Sequence, residues 1–455
     1  MEVLAEISLA AWMSMLALAI VVIISCVNED LNVGFLSIAF GIIVGGIWVG
    51  MNGAKVMNSF PIGLFMILVG VTFLFSLAST NGTMEKVSSY AIRACGGKTA
   101  LLPLIIYVLV SILTTIGPGN IAATALMAPV AMAIATRVGM PAFLMTLLVV
   151  GAANGAAFSP FAPTGIISNG IIAKIAPQLP AIQESWTLDG LAWKIHFNSM
   201  YCQGFVNIGG FLLMGGWAWM ARQHGQAINI DELAPRPEPF TSKQWYTLVA
   251  ILLLIIFVIA PALPGVKDLI PKVILPLIAN VGSVAFILAG ILMLLNAADS
   301  KAGVKAMPWG VIMMVCGVTV LVEVMDRSGG LNAMVKMIGV ISGPVTVNFW
   351  LGLLTGIISA YSSSSGVVMP MFLPLVPGLA KEVPSADVIA MISSINIGSH
   401  LVDTSPLSTL GALCIACAGE HEDKAKLFSK LLIWGLSMAV VGALACVLFF
   451  GVLGW

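Results

Sequence analysis

The sequence predicts an all-α polytopic membrane protein of about ten spans, two of them broken helices, with two re-entrant hairpins, arranged as two repeats of inverted topology. Three observations predict it. The 455 residues are 59% hydrophobic and 9% charged, with a mean hydropathy of +1.06, where a soluble domain carries roughly a quarter charged residues. Apolar runs recur at the roughly 20-residue length of a membrane helix. The second half of the chain also repeats the first. Twenty basic residues balance twenty acidic ones, so there is no basic field to hold nucleic acid, and the surrounding partner is membrane lipid.

Ordinary spans are read at 7–26, 33–50, 61–79, 200–220, 245–262, 273–296, 308–325 and 430–453. The first follows Glu2 and Glu6 rather than a basic region, so it reads as a retained span. Segments 100–135 and 345–380 are read as re-entrant hairpins, and 138–172 and 386–418 as broken spans, because Gly, Pro, Ser and Asn interrupt each near its centre. Non-helical backbone at membrane depth is tolerated only where protein buries it or a wet cavity meets it. The interruptions at 115–120, 155–165, 359–366 and 396–406 are therefore the candidate ligand site.

The duplication is direct. MPWGVIMMVCGVTVLVEVMDRSGGLNAMV matches FPIGLFMILVGVTFLFSLASTNGTMEKV, with Pro308, Gly317, Thr319 and Gly329 lying 247 positions after Pro61, Gly70, Thr72 and Gly82. Pro374 pairs with Pro129 at an offset of 245, and Pro406 with Pro163 at 243. This divides the chain into a first repeat, 1–221, a Pro-containing linker, 222–243, with Pro235, Arg236, Pro237 and Pro239, and a second repeat, 244–455. Five crossings per repeat invert the second repeat and place a site at their interface. An external N-terminus puts Lys86, Arg93, Lys98, Arg137 and eight further basic residues in the cytoplasm against eight outside, satisfying the positive-inside rule. The expected location is a bacterial cytoplasmic membrane.

No Lys or Arg lies in the four interruptions. They offer backbone amides, hydroxyls and side-chain amides, which is chemistry for a small anion together with a cation: broken helices point positive dipole ends at the anion, and carbonyls and hydroxyls suit Na+. On the cation side stand Thr115, Asn120, Gly155, Ser359, Ser362, Ser363, Asn396 and Asp403. On the anion side stand Gly119, Asn120, Pro163, Thr164, Ser364, Ser365, Thr404, Ser405, Pro406 and His400. His400 and Asp403 are intramembrane ionisable residues three positions apart, read as a proton-coupling or substrate-contacting pair or as a capping pair that satisfies freed backbone. Glu323, Asp326 and Arg327 end a span and read as interfacial. Segment 82–98 reads as an amphipathic surface helix, and Asn81-Gly-Thr83 as an accidental sequon. Seven scattered cysteines form no disulfide framework, and the Cys414-x-x-Cys417 pair reads as buried packing rather than a metal site. No cofactor is expected beyond Na+ as coupling ion.

With hairpin tips of small polar residues followed by Pro and broken helices with Pro-containing polar breaks, the pattern resembles the divalent anion:Na+ symporter architecture of the ion transporter superfamily. The runs GPGNIAATALMAPVAMAIA, GAAFSPFAPTGIISNGII and NIGSHLVDTSPLSTLGALC are most similar to malonate/dicarboxylate carriers of the MatC type. The resemblance implies that Gly119-Asn120-Ile121 and Ser364-Ser365-Gly366 occupy the two tips that hold carboxylate and Na+, Asn120 being the one family residue retained. It implies that Ala162-Pro163-Thr164 and Ser405-Pro406-Leu407 represent the breaks. It also implies a homodimer in which a transport domain slides like an elevator, and a carrier for a small dicarboxylate such as malonate, driven by Na+ or H+. The rival is a cation/proton antiporter using Asp403 and His400. An ATP-driven pump lacks its GxxxxGK[ST] loop, and an intramembrane hydrolase finds only Ser399 beside His400, adjacent residues that do not face each other on a helix. No enzyme is expected.

Overall fold

The computed structural model describes residues 7–28, 31–93, 99–223, 237–259, 271, 277, 280–419 and 421–455. Glu2, Glu6, Cys95, Lys98, Pro235, Arg236, most of the 222–243 linker and the side chain of Cys26 lie outside the described residues. Every regular element among the described residues is helical. In the first half these are α1 (Leu9–Val27), α2 (Val33–Trp48), α3 (Ile62–Thr80), α4 (Thr83–Arg93), α5 (Leu102–Ile116), α6 (Gly119–Arg137), α7 (Ala142–Ala156), α8 (Pro163–Ile175) and α9 (Leu188–Phe211). The second half has α10 (Ser242–Ile259), α11 (Val281–Leu294), α12 (Trp309–Ser328), α13 (Gly330–Val340), α14 (Thr346–Ser359), α15 (Val388–Leu401), α16 (Thr409–Cys417) and α17 (Lys424–Cys446).

Six helices among the described residues are long and apolar enough to cross a membrane, and seven more are apolar but shorter. The chain is a multi-pass membrane protein. Equivalent residues start equivalent helices. Asn32 caps α2 through the Gly34 amide and Asn280 caps α11 through the Gly282 and Ser283 amides, while Pro61 and Pro308 precede α3 and α12. Of the segment 82–98, read as a surface helix, Thr83–Arg93 forms α4, and α13 is its counterpart in the second half. The 200–220 span starts earlier, at Leu188, because Thr187 caps α9 by accepting from the Gly190 amide at 3.1 Å.

The duplicated helices pack by exchange. Gly317 of α12 lies against the backbone of Gly34 on α2, and Gly70 of α3 against Gly282 on α11; a Cβ on Gly70 would sit 2.7 Å from the Gly282 carbonyl oxygen. Small residues let membrane helices approach this closely. The helix ends repeat the exchange. Asn81 after α3 donates to Thr247 Oγ1 on α10 at 2.8 Å, and Ser328 of α12 meets Ser14 Oγ on α1 at 2.7 Å. Each half thus lends its first two helices to the third helix of the other, the mutual contact that a two-fold relation produces. Asn81 is thereby a structural node between the halves.

These six helices form a frame. Inside it, α7 packs on α5, α6 and α9, while α15 packs on α14, α17 and α9. The inner helices meet the frame where α8 touches α3 and where the turn Ser364–Val368 touches α12.

The two hairpins differ. In the first, Thr99–Ile116 and Gly119–Arg137 have 18 and 19 residues, a rise of about 28 Å for the longer limb; both are long enough for a full span, beyond what a re-entrant limb requires. In the second, α14 has 14 residues, and its return limb is split into short turns by Pro370, Pro374 and Pro377.

Candidate functional site

The tip of the first hairpin turns through Gly117 and Gly119, whose φ angles of +143° and +86° suit glycine alone. The Phe75 ring fills the place of a Cβ on Gly117, and a Cβ on Gly119 would lie 2.9 Å from Pro163 Cδ. This fixes Asn120, which donates through Nδ2 to Asn154 Oδ1 at 2.9 Å. Asn154, on α7, in turn donates to the His400 carbonyl at 3.0 Å, and Gln203 donates to the Asn154 carbonyl. A string of amides therefore ties the first tip to the broken helix of the other half.

The second tip is a serine loop. Ser363 Oγ accepts from the Gly366 amide at 3.0 Å, Ser362 donates to Ser25 on α1 at 3.1 Å, and Ser364 Oγ lies 2.8 and 2.9 Å from the two carboxylate oxygens of Asp403. Ser359, one turn earlier, donates to the Ser399 carbonyl at 2.5 Å.

The two breaks are built alike. Ser159 Oγ accepts from the Phe161 amide and its carbonyl from Ala162; Ser405 Oγ accepts from Leu407 and its carbonyl from Ser408. Gly165 lies against the Ser159 carbonyl and Gly411 against that of Ser405. Ser159-Pro160 thus corresponds to Ser405-Pro406, an offset of 246. This corrects the pairing of Pro406 with Pro163: proline alone marks the break, whereas the close approach of the later glycine sets its register.

Between the second tip, the second break and Asn120 lies a cavity of about 260 Å³, closed on the frame side by Ser25, Val311 and Met314. Of the predicted residues, Asn120, Ser359, Ser362, Ser363, Ser364, Ser365, His400 and Asp403 line it, joined by Tyr361 and the N-terminal end of α16 at Ser408, Thr409 and Leu410. Its donors are hydroxyls and the positive end of α16, and no Lys or Arg lines it.

The other predicted residues stand elsewhere. Gly119 and Pro163 press on one another beside the first tip. The Thr115 carbonyl accepts from Ser159 at 2.7 Å, Thr164 is buried at the start of α8, and Gly155 faces Gln203 and Met200 on α9. Asn396 donates to Ser168 on α8 at 2.8 Å. The carbonyls of Thr404 and Ser405 are covered by Gly411, and Pro406 begins the turn beneath. The first break therefore packs against the first hairpin instead of lining the cavity, so three of the four interruptions meet there.

No ion pair joins His400 to Asp403; Arg327 pairs with Glu323 at 3.0 Å, at the helix end where the sequence places an interfacial group. His400 Nδ1 instead lies 2.9 Å from the Asn396 carbonyl and 2.9 Å from Ser399 Oγ, with the Phe158 ring edge-on at 4.8 Å. A carbonyl only accepts, so Nδ1 carries a proton and Nε2 is the ring nitrogen left for a ligand. Ser399 and His400 do meet, contrary to expectation, because the imidazole folds back over its own helix. Ser399 gives its proton to the Asn396 carbonyl at 2.9 Å, which is not the arrangement of a nucleophile and its base. Cys414 is buried and Cys417 half-buried, and among the described residues no three His, Cys, Asp or Glu side chains cluster to hold a metal.

Residues 9–157 match the family described as the dicarboxylate carrier protein MatC N-terminus. That stretch, which takes in the Asn120 tip and ends just inside the first break, is similar to a transporter and not to an enzyme. No curated protein matches the chain in sequence. In structure the chain resembles the YdaH transporter of Alcanivorax borkumensis, whose topology is described as unusual, with a TM-score of 0.57 and 15% identity over 98% of each chain. It also resembles MtrF of Neisseria gonorrhoeae, described as illuminating a class of antimetabolite efflux pumps, with a TM-score of 0.57 and 13% identity over 99% of this chain and 96% of that one. At these identities the likeness is one of fold.

Proposed function

We propose that the chain is a secondary active carrier of a small dicarboxylate, malonate or a C4-dicarboxylate, coupled to Na+ or H+ in a bacterial cytoplasmic membrane. One observation carries the reading: Asn120, in the stretch similar to a dicarboxylate carrier, shares a small polar cavity with the serine tip, His400 and the N-terminal end of α16. A cavity of about 260 Å³ suits a small anion, with hydroxyls and a helix dipole in place of basic side chains. The exchange of helices between halves supports two inverted repeats, and the separation of an inner body from a frame supports elevator movement in a homodimer.

Uptake of labelled malonate and succinate into proteoliposomes, with and without Na+ and pH gradients, tests this. Accumulation that follows a gradient is the expected result. Asp403 and His400 on the same cavity favour one second reading, a cation/proton antiporter; gradient-driven cation flux with no effect of any dicarboxylate would establish it instead.

A further inference from the structure

We infer that a cleft at the start of α17 is a headgroup site for an amine-bearing phospholipid, phosphatidylethanolamine, with its phosphate on Lys426 and Lys430 and its ammonium group on Glu422. The inference holds whatever solute is carried. The cleft, of about 510 Å³, lies between the turn that joins α6 to α7 and the first two turns of α17, and shares no residue with the cavity at the tips. Its place sets the kind of ligand. α17 opens the apolar stretch Lys424–Val452, which is long enough to cross a membrane, and all the charged side chains of that stretch, Lys424, Lys426 and Lys430, lie in its first two turns. Those turns therefore stand where hydrocarbon gives way to headgroups.

Lys426 and Lys430, one turn apart, share a face of the helix and both line the cleft. Both are exposed, and among the described residues no carboxylate is bonded to either ammonium group. Lys430 has the Phe143 ring 6.0 Å away, and Lys424 is drawn aside to the Ala416 carbonyl. A lysine at this depth lays its stem on apolar surface and holds its charge among lipid phosphates. Ala135, Met140 and Leu427 supply that surface in the cleft wall.

The cleft is not simply basic. Glu422 and Asp423 line it too, with His421 at the same rim, so two lysines are balanced by two carboxylates and the fitting ligand carries both signs. The signs are also ordered in depth. The acids precede the helix, whereas Lys426 and Lys430 lie about 5 and 10 Å along its axis from Asp423, into the membrane. Asp423 is committed to capping, accepting from the Lys426 amide at 3.0 Å; half-buried Glu422 is the carboxylate left to meet a cation. Phosphatidylethanolamine has the same order, with its phosphate next to the glycerol and its ammonium group on the water side. A primary ammonium offers three N–H donors to a carboxylate, and a trimethylammonium offers none. A headgroup with net negative charge would set that charge against the two acids.

The test is a lipid titration of the full-length protein in detergent, read by native mass spectrometry, with phosphatidylethanolamine, phosphatidylcholine and phosphatidylglycerol of the same acyl chains. The expected result is saturable binding in which phosphatidylethanolamine is preferred about threefold to fivefold, the range of one exposed ion pair. Lys426→Gln combined with Lys430→Gln should weaken all three lipids. Glu422→Gln should remove the preference for phosphatidylethanolamine over phosphatidylcholine and leave phosphatidylcholine binding as in the wild type. Lys301→Gln combined with Lys305→Gln, the same loss of charge on another exposed helix, should change nothing. A wild-type protein that does not separate phosphatidylethanolamine from phosphatidylcholine, or that binds phosphatidylglycerol more tightly, overturns the inference, and this comparison needs no variant. An equal loss in the Lys301 and Lys305 variant, or displacement of the lipid by inorganic phosphate, overturns it as well.

Discussion

At the residue scale, Asn154 carries more of the site than its sequence context reveals. Replacing it by Ala removes the acceptor of Asn120 and the donor to the His400 carbonyl. Each buried group left without a partner costs about 1–3 kcal/mol, so Asn154→Ala should lower thermal stability in detergent by a comparable amount and abolish uptake. A thermal denaturation curve beside an uptake assay checks both. The residue was readable as a lone amide in an apolar run, but nothing local says that its partner is a main-chain carbonyl 246 residues away. His400 was conspicuous for its charge, yet the structure gives its ring to Asn396 and Phe158. His400→Gln should therefore retain whatever acid stimulation the wild type shows; a flat pH profile in that variant would make His400 the titrating group.

The elements were legible where backbone chemistry marks them. Gly-Pro-Gly at 117–119 announces a turn, and the turn is there, with positive φ at both glycines. Gly119→Ala should cost about 1–2 kcal/mol for the left-handed backbone alone, and its Cβ would also push against Pro163. Uptake should fall while expression persists; wild-type uptake would mean that the contact between tip and first break is dispensable. The register of the second break was not legible, because its one proline, Pro406, aligns equally well with either Pro160 or Pro163 of the first. What fixes them is glycine lying on a serine carbonyl, at Gly165 and Gly411, a contact that exists only once the chain has folded back. The participation of the first break was overestimated for a related reason: small polar residues pack helices as readily as they bind ligands, and Thr164 and Gly155 do the former.

For the whole molecule, the duplication was plain in the sequence, whereas the exchange of α1 and α2 for α10 and α11 was not. A repeat records which helices are equivalent, not which of them touch. The exchange leaves a frame around an inner body, and the second tip reaches across to the frame through Ser362 and Ser25. A cysteine pair, Ser25→Cys with Ser362→Cys, replaces hydroxyls 3.1 Å apart. Oxidation should arrest uptake, and reductant should restore it, if the inner body moves. Undiminished transport by the crosslinked protein would show that it does not.

On the proposed reading, the cavity between the tips is the dicarboxylate site. Equilibrium binding of labelled malonate to the purified protein, wild type against Asn120→Ala, tests it most directly. Saturable binding displaced by unlabelled malonate, weakened at least about tenfold in the variant, which corresponds to 1.4 kcal/mol, is the predicted result. Equal affinity in a folded Asn120→Ala protein, or no saturable binding by the wild type, would contradict it.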